Sequence, residues 1–315
     1  MSDILGEAHR LARAGRRGEA AALVERAAAA GDPEALFALA NWRLYGLNGP
    51  RDAAAAHPLL ARAAAAGHVE AARLRAYLTA SGTGCAADPD TGLALLGALA
   101  AADPVAQRQL ALVAAMPAPE LAPEVLAEDP PVRFLRRLLP AEACDWLIAL
   151  AAPALRPSVI VDAATGRPKP DPVRTSEGMN FGPAQEDLVV NAVNRRIAAA
   201  TGTAYECGEP LHVLRYVPGQ EYRPHLDALP GVANQRSWTA LVYLNDGYEG
   251  GETVFPELGL AAKGERGDCL IFRNVDGLGR GDPRARHAGR PVTGGVKWLA
   301  SRWIRERPFD PFVPG

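Results

Sequence analysis

"YRPHLDALPG", residues 222–231, places a histidine and an aspartate two positions apart in a strand that runs into a turn. Successive side chains of a strand face opposite sides. His225 and Asp227 therefore point one way and Leu226 the other. An imidazole beside a carboxylate is either a hydrogen-bonded pair or two ligands of one metal. Around this stretch lie other short apolar or alternating runs: "LHVLRY", "TALVYLN", "ETVF", "DCLIF", "RHAGRPV" and "VKWLASRWI". Turns rich in Gly, Pro, Asn and Asp separate them, the pattern of an antiparallel barrel or jelly roll. Two helical stretches precede the strands, "PAEACDWLIALA" (140–151) and "PAQEDLVVNAVNRRIAAATG" (183–202), the second with Gly202 as its stop. Two helices followed by about eight strands predict an α+β domain over residues 132–315.

Upstream the composition changes. Residues 1–115 are rich in alanine and poor in β-branched side chains, which favours helix. "AAAAGDPEALFALA" begins at Ala27 and "AAAAGHVEAARLRA" at Ala63, 36 residues later; "ALAAADPVAQRQLA" follows at nearly the same interval. Gly46 of "YGLNG" has its counterpart in Gly82 of "ASGTG". A period near 36 with two helices per unit predicts a helical solenoid, whose usual use is to offer a concave surface to a protein or peptide. These units resemble Sel1-like repeats, relatives of the tetratricopeptide repeat. "MPAPELAPEVLAEDPP" (116–131) carries five prolines and reads as a linker between the two parts. The expected organisation is thus repeats over 1–115, a linker over 116–131 and a strand-rich domain over 132–315.

The bulk numbers exclude several function classes. Hydrophobic residues make up 48% of the 315 and charged residues 22%, a balance typical of globular proteins. A formal net charge of −2 supplies no basic field to hold nucleic acid or an anionic membrane. The opening "MSDILGEAHR" has no apolar signal core, and no run approaches a membrane span. Four scattered cysteines without CxxC spacing fit neither a zinc knuckle nor a disulfide framework, so a reducing cytoplasm is the expected location.

Of six histidines, His9, His57 and His68 fall in the repeats, and His212 reads as a structural histidine on "LHVLRY". His225, Asp227 and His287 remain. Two imidazoles and one carboxylate form a facial set that suits non-haem Fe(II) and leaves three coordination positions open. A bidentate 2-oxo acid fills two of them and dioxygen the third. Lys297 lies ten residues after His287. If Thr293, Gly294 and Gly295 make a hairpin turn, Pro291 and Lys297 sit opposite each other, and Lys297 faces the same side as His287 at about 13 Å. An ammonium group there can grip the far carboxylate of a five-carbon diacid bound to the metal.

In order along the chain, "VRTS" (173–176), "GEPLHVLRYVPGQEYRPHLD" (208–227), "RSWTALVYLNDGYEGGETVFP" (236–256), "GDCLIF" (267–272) and "RHAGRPVTGGVKWLASRWI" (286–304) resemble the prolyl 4-hydroxylase group of Fe(II)/2-oxoglutarate dioxygenases. The resemblance implies a double-stranded β-helix with the metal inside one end. It implies His225, Asp227 and His287 as iron ligands, and Lys297, Tyr216 and Thr253 as 2-oxoglutarate ligands. It implies peptide contacts at Arg174, Ser176, Glu209, Tyr222, Arg236 and Trp303. It also implies O2 as co-substrate, ascorbate as an accessory cofactor, and a protein or peptide substrate containing proline. Two features depart from the group: "ALPGVANQ" (228–235) is shorter than is common, and Arg290 stands where a cysteine is frequent. Retention of Asp227 disfavours a halogenating variant. Three rival readings stand beside a prolyl hydroxylase with repeats that recruit its target. One is a dioxygenase acting on a free amino acid or other small molecule. The second is a non-catalytic adaptor, and the third a cupin-like isomerase.

Overall fold

Asp32, Asp52 and Asp88 each precede a helix and accept a backbone N–H three residues on, at 2.8, 3.0 and 2.9 Å. These are N-caps, which satisfy donors that the first helical turn leaves open. In the computed structural model, which describes residues 3–116, 122–161, 168–170 and 173–312, they delimit a series of antiparallel helices. The helices are Ile4–Arg13, Arg17–Ala29, Pro33–Tyr45, Ala53–Ala65, Val69–Ser81, Pro89–Gly97 and Pro104–Ala114. Pro33, Val69 and Pro104 open equivalent helices, so the period read in the sequence is the period of the structure. Gly46 and Gly82 end two of these helices at φ 70 and 79, in the left-handed region. A side chain is strained there, and a Cβ on Gly82 would also lie 2.8 Å from that of Ala87. Ala35, Ala40, Ala56, Ala63 and Ala71 are buried with Leu36, Leu44 and Leu60, so small residues set the helix spacing and leucines fill the gaps.

The chain divides into two compact units. One comprises residues 1–114 with 183–191, the other 115–182 with 192–315. In the second, an antiparallel sheet runs in the order Glu124–Glu128, Pro131–Leu135, Cys269–Arg273, Arg236–Tyr243, Lys297–Arg305, His212–Tyr216, Glu177–Asn180, Arg156–Pro157. A smaller sheet runs Leu260–Ala262, Thr253–Phe255, His287–Gly289, Tyr222–His225. Their inner faces share one core, with Phe134, Leu241, Leu270, Phe272 and Leu299 from the large sheet and Phe255 from the small one. This is the jelly-roll arrangement expected of the strand pattern.

Three local expectations need revision. Residues 124–128 of the proposed linker form a strand paired with Pro131–Leu135; residues 117–121 lie outside the described residues. At one edge the large sheet also extends through Glu177–Asn180 and Arg156–Pro157, short strands with little apolar alternation. Finally, "RHAGRPV" is not one strand, and no hairpin joins Pro291 to Lys297. His287–Gly289 belongs to the small sheet, while Val292–Gly294 pairs with Glu249–Gly250. Pro291 stands between them, and proline interrupts a ladder because it has no N–H.

Candidate active site

His225 and His287 are directly paired across the small sheet, and Asp227 lies just past the end of the first strand. Their imidazoles tilt toward each other with centroids 4.2 Å apart. Asp227 Oδ1 is 3.5 Å from His225 Nε2, and Oδ2 is 3.6 Å from His287 Nε2. One ligand atom from each residue lies within 4.8 Å of the other two.

The protein fixes which nitrogen of each ring faces this gap. His225 Nδ1 donates to the Arg223 carbonyl at 2.8 Å, and His287 Nδ1 to the Ala285 carbonyl at 3.1 Å. Each bond places the proton on Nδ1 and leaves the Nε2 lone pair for a metal. His225 Nε2 is buried with no hydrogen-bond partner, which a protein tolerates when a cation supplies one. Asp227 is held from behind by the Thr239 hydroxyl, which donates to Oδ2 at 2.6 Å and itself accepts from Asn274 Nδ2 at 2.8 Å. Burial raises the Asp227 carboxyl, but the two imidazoles and Thr239 outweigh it and hold the group well below the usual range. Burial also lowers His287 to about 4, with Asp227 opposing. The site thus presents two imidazole nitrogens and one carboxylate, a donor set that fits a ferrous ion with open positions.

The donors open into a pocket with about 520 Å³ of empty space, part of it open to solvent. Lys297, Leu299, Ser301 and Trp303, alternate residues of one strand, line it together. Lys297 pairs with Tyr216 of the neighbouring strand. Its ammonium is 3% exposed and donates to the Gly251 carbonyl at 2.6 Å. The rings of Tyr216, Tyr243 and Tyr248 stand 5.7, 5.7 and 5.9 Å from Nζ. No carboxylate among the described residues ion-pairs with it; Glu252 acts on it only at longer range. Burial lowers its pKa to about 8. Gly251 sits at φ 69, and a Cβ there would crowd the Lys297 chain at 3.2 Å. Thr253 is buried on the same wall.

A family model of the 2OG-Fe(II) oxygenase superfamily matches residues 211–305, a span that contains the three donors and Lys297. Prolyl 4-hydroxylase 1 of Arabidopsis thaliana is 36% identical over 204 residues, which cover 59% of this chain and 72% of that protein. The chain belongs to the prolyl 4-hydroxylase family. Among solved structures, a viral collagen prolyl hydroxylase from Paramecium bursaria Chlorella virus-1 in complex with 2OG is 28% identical, with a TM-score of 0.45. The match covers 55% of this chain and 95% of that one. A Sel1 repeat protein from Oxalobacter formigenes aligns at 22% identity and a TM-score of 0.32 over 34% of this chain and 85% of its own.

As a member of this family the protein is an Fe(II)/2-oxoglutarate-dependent dioxygenase, and its expected peptide contacts divide into two groups. Arg174, Tyr222 and Trp303 line the pocket. The Tyr222 ring stacks on His225 at 3.5 Å between centroids, with the Arg174 guanidinium 5.4 Å from the Tyr222 centroid. Ser176, Glu209 and Arg236 do not line it. Ser176 is 1% exposed, and its hydroxyl bonds that of Ser158 at 3.3 Å. Glu209 is clasped by Arg236 at 2.6 and 2.8 Å and ion-paired with Arg305, and Arg236 lies 4.0 Å over the Trp303 ring. These three stand behind the wall, where they can position it but do not face the cavity.

Sequence reasoning missed Thr239, Asn274 and Ser301. Ser301 was accessible, since it shares the alternation of Lys297 and Trp303. Thr239 and Asn274 carried no local signal. Both reach the donor set through Asp227: Thr239→Val removes the hydroxyl that bonds Oδ2, and if Asp227 holds the metal, its affinity is expected to fall about 10- to 100-fold. Titration of the apo protein with Fe(II) or Mn(II) under anaerobic conditions measures this. Unchanged affinity would show that Asp227 needs no such support.

Proposed function

We propose that this dioxygenase hydroxylates a prolyl residue of a protein or peptide, with His225, Asp227 and His287 as iron ligands and Lys297, Tyr216 and Thr253 holding 2-oxoglutarate. One observation carries the reading: three converged metal donors and a buried ammonium without an acidic partner share a single pocket. The named relatives supply the substrate class.

Bound Fe(II), with 2-oxoglutarate and dioxygen, supplies oxidation of an unactivated C–H bond, releasing succinate and CO2. The chain's own groups prepare that event. The Arg223 and Ala285 carbonyls hold both imidazoles in the ligating tautomer. Thr239 keeps Asp227 oriented. Lys297 receives the far carboxylate of the co-substrate, and Tyr216 and Thr253 offer hydroxyls to the same molecule. Leu241, Val292 and Leu299 give the cavity apolar walls that keep water from the reacting carbon. Arg174, Tyr222 and Trp303 receive the peptide at the wall, backed by Ser176, Glu209 and Arg236. Alternate pocket-facing residues on the Lys297–Arg305 strand run from the co-substrate lysine to Trp303, so one strand fixes the distance between the two substrates.

The test is coupled turnover by the Fe(II)-loaded protein. Proline-containing peptides are expected to gain one oxygen atom on proline, with one succinate released per hydroxyl. Succinate release stimulated only by free proline would replace the peptide reading with the free-amino-acid one. Absence of any succinate release would favour an adaptor. The repeats are proposed to recruit the target protein. A whole-protein substrate should then exceed its own excised target peptide in kcat/KM, and equal values would remove that role.

A further inference from the structure

Asp227 is the one carboxylate lining the pocket among the described residues, and it faces the metal donors. Three cations line the same cavity: Lys297, Arg174 and Arg290. Lys297 is buried at the co-substrate end, bonded to the Gly251 carbonyl. Arg174 lies against the Tyr222 ring. Arg290 differs from both. It is exposed, directly follows Gly289 in lining the cavity, and is three residues beyond the ligand His287.

Its backbone is fixed, since Arg290 N donates to the Glu252 carbonyl at 2.8 Å. Its guanidinium makes no ion pair among the described residues. Two carboxylates neighbour it in the sheet, Glu252, whose carbonyl takes the Arg290 N–H, and Glu221, beside Tyr222, the residue that pairs with Gly289; neither ion-pairs with Arg290 among the described residues. Glu221 is taken by Arg223 at 3.1 Å. Arg286, exposed just before the His287–Gly289 strand, donates to the Pro224 carbonyl at 3.3 Å. So the mouth of the pocket on the metal side carries a positive guanidinium, with five donors suited to a carboxylate and none committed to a protein acid.

We propose that Arg290 selects substrates that carry a carboxylate close to the target residue. The inference rests on the prolyl reading above and names what that substrate carries. The carboxylate is either an acidic side chain flanking the proline or a main-chain carboxylate on a terminal proline. Lys297 is the group reserved for the co-substrate, and Arg290 lies at the open wall, where a peptide enters.

The experiment compares four proline peptides of equal length: Glu-flanked, Gln-flanked, Lys-flanked, and Gln-flanked with a free prolyl carboxylate at its end. Each is assayed with the wild type, Arg290→Ala and Arg290→Glu, and the KM for 2-oxoglutarate is measured alongside. The wild type is expected to prefer the Glu-flanked over the Lys-flanked peptide by about tenfold in kcat/KM, the low end for a hydrogen bond to a charged group. Arg290→Ala should bring that ratio near one, Arg290→Glu should invert it, and added salt should shrink it. If the free prolyl carboxylate shows the Arg290-dependent preference instead, the recognised group is the main-chain one, and the proposal holds with that source. A ratio that is the same in wild type and Arg290→Ala, with all peptides hydroxylated, overturns the inference alone. So does a rise in the KM for 2-oxoglutarate with an unaltered peptide ratio, which would make Arg290 a co-substrate entry group. Succinate release with no peptide hydroxylated overturns the prolyl reading and this inference with it.

Discussion

Replacing His225 by alanine should lower succinate release by about 10³-fold or more, the equivalent of the several kcal/mol that a bound metal contributes to a reaction barrier. His225 Nε2 is buried without a hydrogen-bond partner among the described residues, so its lone pair is open to a cation. Two consequences separate loss of a ligand from loss of the fold. Wild-type melting temperature should rise on addition of Fe(II) or Mn(II), since a ligand that binds only the native state stabilises it. In His225→Ala that rise should largely vanish, while the metal-free proteins melt at similar temperatures. His287→Ala should behave in the same way, because His287 is the cross-strand partner of His225 and contributes an equivalent nitrogen. Anaerobic metal analysis after dialysis gives a readout independent of turnover. A variant that keeps wild-type succinate release and metal-dependent melting would end the assignment of these residues as iron ligands.

Much of this site was legible because β structure has a period of two. His225 and Asp227 converge with Leu226 exposed between them, as alternation predicted, although the strand ends at His225 and Asp227 lies in the bend beyond it. Repeat length was legible too, and Gly46 and Gly82 marked two helix ends, since left-handed glycines are local devices that leave local marks. What stayed hidden depends on pairing between distant segments. Thr239 supports Asp227 from another sheet, and Asn274 supports Thr239 from the adjacent strand. Neither contact has a spacing rule. Lys297 shows the intermediate case. Its direction was anticipated through a hairpin with Pro291 that does not form. The actual cause is its register opposite Tyr216 in the large sheet. The substrate wall was least legible: residue type alone did not reveal that Glu209 spends its carboxylate on Arg236 and Arg305.

Lys297→Met should move co-substrate affinity and protein stability in opposite directions. Breaking a buried ion pair by removing one partner costs about 3–5 kcal/mol, so the KM for 2-oxoglutarate should rise about 100-fold or more. The metal-free, co-substrate-free protein should instead become more stable. Burial lowers the ammonium from an ordinary 10.5 to about 8, and at about 1.4 kcal/mol per unit that is a charge-burial penalty of roughly 3 kcal/mol. Methionine removes this penalty but leaves the Gly251 carbonyl without its donor, at a cost of about 1–2 kcal/mol, so a net gain near 1–2 kcal/mol is expected. The pH dependence has a definite sign. Between pH 8 and 10.5 the unfolded chain holds a proton on this lysine that the folded chain has released. Stability of the unliganded wild type should therefore gain from this group as pH rises through that window, and the methionine variant should lack the gain. Over the same window 2-oxoglutarate binding to the wild type should weaken by up to tenfold per pH unit, because the free site is losing the charge that the diacid needs. Urea unfolding at several pH values and titration of the co-substrate measure the two halves separately. An unchanged KM in Lys297→Met would remove the lysine from the co-substrate site. Equal pH slopes for the unfolding of wild type and variant would show that the ammonium is not carrying its charge at a cost.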